Sequence, residues 1–346
     1  MTSIAAYRRF FHVVVIVICG AALCPPSAAA HHAPTEYDYQ KIVELEGSLV
    51  EVSWRNPHVR ILMQTGTDPT GKPVIVDIEG AALSVMRRTN ATPEGLRIGD
   101  RVRVAGHPSR RHAGRLLGLN LLQANGKELL FVPGLASRWT QAPLGSETTW
   151  FDQRNLESSD VGIFRVWSSR FDELLAWNPP QPLLTDEARR KVAAWDWVND
   201  STTKGCEPVG MPTIMDSPYP IEFVRRGNAI LLRMELYDAV RTIHLGEQRR
   251  EVLEKSLLGR SIGHWEGDTL VVATDGITWP YFDNLGTPLS TSASIIERFT
   301  PTPDGSRLQY KMIVTDPVNL RRPMELTRSW MARANESLKP YECVER

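Results

Sequence analysis

The sequence predicts a mainly β protein that contains two small barrels joined by a long connector. Three observations lead to this fold class: two groups of short alternating strands, turn residues between those strands, and an intervening region in which the alternation fades. The 24 Gly and 24 Pro of the 346-residue chain suit many tight turns, and its 42% hydrophobic residues suffice for two packed cores. Basic and acidic residues number 40 each, so the composition gives no reason to expect nucleic acid or an anionic membrane surface as a partner.

Residues 1–30 have the pattern of a secretory signal peptide. Two arginines precede an apolar run from Phe10 to Leu23, and the small residues Ala28-Ala29-Ala30 supply a cleavage site. The run is shorter than the ~20 apolar residues of a membrane span, so no stable span is expected. We therefore predict a periplasmic or secreted protein that is cleaved near Ala30.

The first β region, residues 31–132, predicts five or six short strands. Strand patterns fall within residues 43–52, 59–63, 74–79, 101–106, 116–123 and 129–132. Residues 81–89 have the pattern of a short helix. So many short strands in one small region are typical of a small antiparallel barrel, and we expect an OB-like one.

Residues 133–205 are interpreted as a connector that packs on a neighbouring domain. Strand alternation fades there, and the proline-rich stretch 178–182 is a stiff break. Thr185 is predicted to cap one short helix over residues 186–198.

The last region, residues 206–346, predicts a second β domain of seven or eight strands. Strand patterns fall within residues 221–224, 229–236, 240–244, 270–274, 294–299, 308–314 and 325–331. Glycine-containing turns at 227–228, 267–268 and 303–305 predict hairpins between most of them. A lipocalin-like antiparallel barrel or a related sandwich fits this pattern best.

Signal cleavage removes two of the four cysteines and leaves Cys206 and Cys343. Two cysteines in an oxidising compartment allow one pairing, so we predict a Cys206–Cys343 disulfide. It would tie the start of the second β domain to the end of the chain. The alternative is that both residues are free, buried thiols.

Two stretches resemble secreted bacterial families of unknown function. The first resemblance covers roughly residues 31–132 and rests on His31-His32 and on the signature Trp-x-Asn-Pro-His at 54–58. The second rests on Trp-Glu-Gly-Asp-Thr-Leu-Val-Val at 265–272 and on the residues around Cys206 and Cys343. Neither resemblance implies a known activity.

Polar and aromatic residues of the second β domain are the candidate functional groups. A carboxylate buried in a strand can have a raised pKa and transfer a proton, provided that a cation such as Arg241 or Arg298 partners it. The candidate catalytic residues are Glu222, Glu235, His264 and Glu297, and the candidate ligand-binding residues are Arg241, His244, Trp265, Arg298 and Trp330. The alternative is an outward face of ordinary salt-bridged charges.

The histidines at the predicted mature N-terminus are candidate metal ligands. A terminal amine with His31 and His32 can chelate copper or zinc, and His58, His107 or His112 can complete such a site. The alternative is a polar, frayed terminus.

Several common chemistries find no supporting motif in the sequence. Residues 259–263 match the nucleophile-elbow pattern Gly-x-Ser-x-Gly, but the residues after Ser261 predict a turn and a strand, where that motif needs a helix. The sequence has no phosphate-binding glycine loop, no Cys-x-x-Cys and no His-Glu-x-x-His. Nucleotide-dependent catalysis, thioredoxin-like redox chemistry and standard zinc proteolysis are therefore not supported.

The primary functional hypothesis is a small-molecule-binding protein whose C-terminal barrel holds an apolar ligand, since small barrels commonly hold one ligand. The first alternative is an enzyme that uses Glu and His acid–base chemistry in that barrel, as a lyase, isomerase or hydrolase. The second alternative is a copper- or zinc-binding accessory protein that uses the N-terminal histidine pair.

Overall fold

The fold consists of two β-barrels with few helices, which confirms the predicted fold class. The computed structural model describes residues 36–132, 135–146, 162–169, 180, 183–196, 200, 202, 206–246, 254–333 and 336–344. The expected signal peptide and its cleavage site lie outside these residues. Among the helices of the described ranges, none has the length and apolar character required to cross a membrane.

The N-terminal barrel has five strands and a short sixth strand added at one side. The strands are β1 (Val43–Ser53), β2 (Arg60–Thr67), β3 (Pro73–Glu79), β4 (Arg101–Pro108), β5 (Arg115–Leu122) and β6 (Glu128–Leu130). Antiparallel pairs follow the order β3-β2-β1-β4-β5-β6, and a parallel contact between β3 and β5 closes the barrel. Helix α1 (Leu83–Arg88) lies between β3 and β4 in the chain. Five strands in a closed barrel agree with the OB-like expectation.

The C-terminal barrel has nine strands. They are β7 (Val166–Ser169), β8 (Ile221–Arg226), β9 (Ala229–Met234), β10 (Val240–Leu245), β11 (Arg260–Glu266), β12 (Thr269–Asp275), β13 (Ser294–Pro301), β14 (Arg307–Thr315) and β15 (Met324–Arg333). Neighbours in the closed order are β10-β11-β12-β13-β14-β15-β7-β8-β9, and β9 pairs back to β10.

Two features of this barrel differ from the sequence-based expectation. β7 comes from the region interpreted as a connector, yet it pairs with both β15 and β8 and closes the barrel. All four residues of β7 are buried, so the strand lacks the alternation of buried and exposed positions from which a strand is predicted. The β10–β11 pair is parallel rather than antiparallel, and residues 246–259 between the two strands are long enough for the crossover that parallel strands require.

The predicted connector helix is observed as α2 (Asp186–Ala194). The hydroxyl of Thr185 accepts a hydrogen bond from the Ala188 N–H at 3.3 Å, which confirms the predicted cap. The helix ends before residue 198 because Trp195 has an extended backbone. The Trp195 ring packs against Tyr281 and over Gly286, where a Cβ would lie 2.2 Å from the indole.

The two ends of the large barrel are built differently. Residues 209–219 and 277–293 add buried side chains to the core at the end where β8 begins and β12 stops. The small barrel approaches this covered end, where Arg88 of α1 pairs with Glu235. The opposite end, which we call the mouth, is formed by the β8–β9, β11–β12 and β13–β14 hairpins.

Candidate functional site

The mouth of the large barrel contains an open cleft of about 1140 Å³. Arg225, Trp265 and Pro301 stand near the ends of β8, β11 and β13, each two residues beyond a buried position of the same strand. Because alternate strand residues share a face, these three side chains line the mouth directly above the barrel core. The cleft thus continues the barrel interior toward solvent.

Phe164 brings an aromatic ring and a cation together at this cleft. The Arg225 guanidinium carbon lies 4.2 Å from the centroid of the Phe164 ring, within cation–π range. The Trp265 ring lies 6.0 Å from the same ring at 53°. Trp265 is 37% exposed, so part of this residue is accessible to solvent at the cleft.

Below the cleft the barrel interior is filled by aromatic rings. Ring centroids are separated by 5.1 Å for Phe223 and Phe299, 4.8 Å for Phe299 and Tyr310, and 5.1 Å for Tyr310 and Trp330. Trp330, a predicted ligand-binding residue, is one of these buried rings. A ligand of the mouth would therefore rest on the aromatic core rather than enter it.

A rigid turn forms one rim of the cleft. The Asp304 carboxylate accepts hydrogen bonds from the Thr302 hydroxyl at 2.6 Å, from the Ser306 N–H at 3.1 Å and from the Ser306 hydroxyl. Because all of these donors favour the charged form, they lower the pKa of Asp304 to about 2. Thr302, Pro303 and Gly305 of this turn line the cleft.

Glu297 and Arg241 form an ion pair deep inside the barrel. Arg241 Nη1 donates to Glu297 Oε1 at 3.0 Å, Arg241 Nε donates to Ser261 Oγ at 2.8 Å, and the Tyr310 hydroxyl donates to Glu297 at 2.8 Å. Burial alone would lower the pKa of Arg241, but the charge and hydrogen bonds of Glu297 outweigh it and raise the pKa. The guanidinium therefore stays charged. Ser261 belongs to this network on a strand, so it is not the nucleophile of an elbow.

The four candidate catalytic residues do not form one site. Glu297 is enclosed in the core, whereas Glu235 lies at the covered end, 3.6 Å from Arg88. Glu222 borders the cleft but is paired with Arg233 at 2.7 Å. His264 is exposed on the outer surface, 3.2 Å from Glu266. Alternation puts Glu222 and Glu297 on different faces of the barrel wall, which the sequence interpretation did not consider.

Two further candidate ligand-binding residues lie outside the mouth cleft. Arg298 is on the outer surface and pairs with Glu266 at 2.7 Å. His244 borders a smaller cleft of about 220 Å³ together with Glu254 and Ser256. Of the predicted ligand-binding residues, only Trp265 lines the mouth, while Arg241 and Trp330 are core residues.

The structure describes only some of the candidate metal ligands. His31 and His32 lie outside the described residues. His58 Nδ1 is 3.3 Å from the Gly80 carbonyl oxygen and 3.8 Å from Glu79 Oε1. Within the part of the chain that the structure describes, no group of three or more His, Cys, Asp or Glu is placed to hold a metal ion.

The predicted Cys206–Cys343 disulfide is present, with the two Cα atoms 5.8 Å apart. Sequence reasoning missed Arg225 and Phe164 of the mouth. Alternation from Ile221 and Phe223 would have placed Arg225 on the inner face. Phe164 precedes the buried strand β7, so no sequence pattern marks it.

Fold and cleft together define a two-barrel β protein with a cleft at one barrel mouth, lined by aromatic rings, by Arg225 and by the carboxylates of Glu222 and Asp268. Residues 18–119 match a family model described as a family of unknown function (DUF6152). The match covers less than half of the chain and stops within β5, so it concerns the small barrel. It agrees with the first sequence resemblance. No curated protein matches this chain.

Proposed function

We propose that this protein binds a small planar molecule, with an apolar body and an anionic group, at the mouth of its large barrel. The observation that carries the proposal is the partly exposed Trp265 ring beside Phe164, with the Arg225 guanidinium against the same phenyl ring. Ligand clefts combine apolar and aromatic walls with a few placed polar groups, as this one does. The Arg225 side chain supplies donors for a carboxylate, sulfonate or phosphate.

Binding explains these residues better than acid–base catalysis. Proton transfer needs a carboxyl or imidazole that can reach a bound substrate. Glu297 is enclosed, Glu235 lies at the other end of the barrel, and Glu222, which borders the cleft, is held in an ion pair with Arg233 at 2.7 Å. The apolar run near the N-terminus and the Cys206–Cys343 disulfide support the further proposal that the protein is exported.

The experiment uses 8-anilinonaphthalene-1-sulfonate, an aromatic anion whose naphthalene ring system is planar, as the probe. The wild-type protein is titrated and the stoichiometry and Kd are measured by calorimetry. We expect saturable binding at one site, weakened about tenfold by Trp265→Ala or Arg225→Ala, because each change removes roughly 1.4 kcal/mol of stacking or charge-assisted hydrogen bonding.

Ile98→Ala is the matched control, since Ile98 is 63% exposed on the small barrel, away from the mouth. Its Kd should equal that of the wild type. Equal binding by the wild type, Trp265→Ala and Arg225→Ala would contradict the proposed site. Unsaturable binding would show that the probe only adheres to apolar surface.

A further inference from the structure

The last described residues of the chain, 336–344, form a segment between the two barrels, which we call the C-terminal strap. Its backbone bridges Asn56 of the small barrel through Cys343. Its other neighbours belong to both barrels. The strap is therefore placed to hold the barrels together.

Besides the bridge at Cys343, two positions of the strap contact the small barrel. Arg88 Nε of α1 donates to Glu336 Oε1 at 2.7 Å, and Arg88 is also the residue that pairs with Glu235. The buried Asn56 side chain donates to the carbonyl oxygen of Tyr341. These are charged or buried interactions, and both would be lost if the strap moved away.

Contacts to the large barrel involve the backbone, the Tyr341 ring and the Glu336 carboxylate, which accepts from Arg333 Nε of β15 at 2.8 Å. The Lys339 N–H donates to Glu235 at 3.0 Å, and the Tyr341 N–H donates to Asp238 at 3.1 Å. The buried Tyr341 ring packs against Tyr219 at 5.4 Å and against Tyr237 at 4.8 Å.

The barrels also make direct contacts among the described residues. Apart from Arg88–Glu235 they include the Tyr219 hydroxyl, which donates to the Pro57 carbonyl oxygen at 3.2 Å. Ala82 and Val85 add apolar contact to the core of the large barrel. We call the region where the two barrels meet the seam. The strap therefore supplies much of the polar contact across the seam.

The disulfide is the covalent anchor of the strap. Cys343 lies in the strap, and Cys206 lies in the segment that leads to the covered end of the large barrel. Both cysteines are partly exposed, so a reductant can approach the bond. Opening the bond would leave the strap held by noncovalent contacts alone, and a segment held in that way can open locally.

We propose that the Cys206–Cys343 disulfide is a thiol–disulfide exchange site whose opening releases the strap and loosens the seam between the barrels. A thiolate of an external dithiol attacks one sulfur and displaces the other as a thiolate. The second thiol of the reductant then resolves the mixed disulfide. The protein gains two electrons and two protons as two thiols, and the reductant leaves as its cyclic disulfide.

The test is hydrogen exchange measured by mass spectrometry on the folded protein, with and without dithiothreitol. We expect exchange to rise at least tenfold in the strap, at residues 54–58 and at residues 235–239. Exchange within β2, β12 and β14 should stay unchanged. The Cys206→Ser/Cys343→Ser variant should match the reduced wild type and should not respond to dithiothreitol.

Three results would overturn the proposal. Faster exchange only in the strap would show that the seam does not depend on it. Faster exchange throughout β12 and β14 would show that the disulfide holds the fold rather than the seam. Unchanged exchange after confirmed reduction would show that the strap needs no covalent anchor. If the double variant does not fold, reduction of the folded wild type still distinguishes these results.

Discussion

Arg241 and Glu297 form a two-pronged ion pair in the interior of the large barrel, with side chains 1% and 0% exposed. Ser261 and Tyr310 complete the hydrogen bonding of the two charged groups. Such a pair adds little stability over well-packed apolar residues, because desolvation offsets the attraction. Removing one partner is costly, because the other charge stays buried alone.

We predict that Glu297→Gln lowers the free energy of unfolding by about 3–5 kcal/mol. The double variant Arg241→Met/Glu297→Leu should lose much less, since it removes both charges. Urea denaturation of the wild type, Arg241→Met, Glu297→Leu and the double variant gives the coupling energy directly.

Glu266→Gln is the matched control on the surface. Glu266 pairs with Arg298, but both side chains are well exposed, so the variant should lose less than about 1 kcal/mol. If Glu297→Gln lowers the free energy of unfolding as little as Glu266→Gln does, the stability of the barrel interior does not depend on the Arg241–Glu297 pair.

Local features of this fold could be predicted from the sequence. The β11–β12 hairpin was expected from Gly267-Asp268, and Gly267 indeed has a φ of +58°, which suits glycine. The cap at Thr185 was likewise expected from neighbouring residues. Turn chemistry and capping depend on a few consecutive residues, so a single sequence contains enough information for them.

Partners in space could not be predicted in this way. The sequence suggested Arg241 or Arg298 for a buried glutamate, but only the barrel register decides that Arg241 meets Glu297 and that Arg298 stays outside. Glu235 was placed with the barrel site, yet its cation is Arg88 of the other barrel. Such pairs depend on strand order and on how the barrels meet.

Gly210 occupies a position with no room for a side chain. A Cβ there would lie 2.3 Å from the Leu257 carbonyl oxygen and 2.4 Å from Trp279 Cβ. We predict that Gly210→Ala lowers the free energy of unfolding by about 1–3 kcal/mol through overpacking. Gly66→Ala is the control, because a Cβ at Gly66 meets nothing within 4 Å. If thermal denaturation gives the two variants the same stability, the close approach at Gly210 is refuted.

Asp304 should make the mouth turn sensitive to acid. Its pKa is lowered from 3.8 to about 2, so its contribution to stability is complete above pH 3.8 and disappears as the pH falls through about 2. We predict that the wild type is more stable than Asp304→Ala at pH 5 and that the difference shrinks toward pH 2. Urea denaturation at several pH values measures this. A difference independent of pH would contradict the hydrogen-bonded turn.

Glu235 should have the opposite pH dependence. Burial raises its pKa above 4.5, and Arg88 and the Lys339 N–H reduce that increase only in part. The folded state therefore binds the proton more tightly than the unfolded chain does. Its contribution to stability is complete below pH 4.5 and is lost as the pH rises through the raised folded value.

Glu235→Gln removes this titration, and Arg88 keeps its ion pair with Glu336 at 2.7 Å. We therefore predict that the variant gains stability relative to the wild type as the pH is raised from 4 to 8. Urea denaturation across this range tests the sign. A relative gain for the wild type would mean that attraction to Arg88 outweighs burial and that the Glu235 carboxylate is charged at little cost in the seam between the barrels.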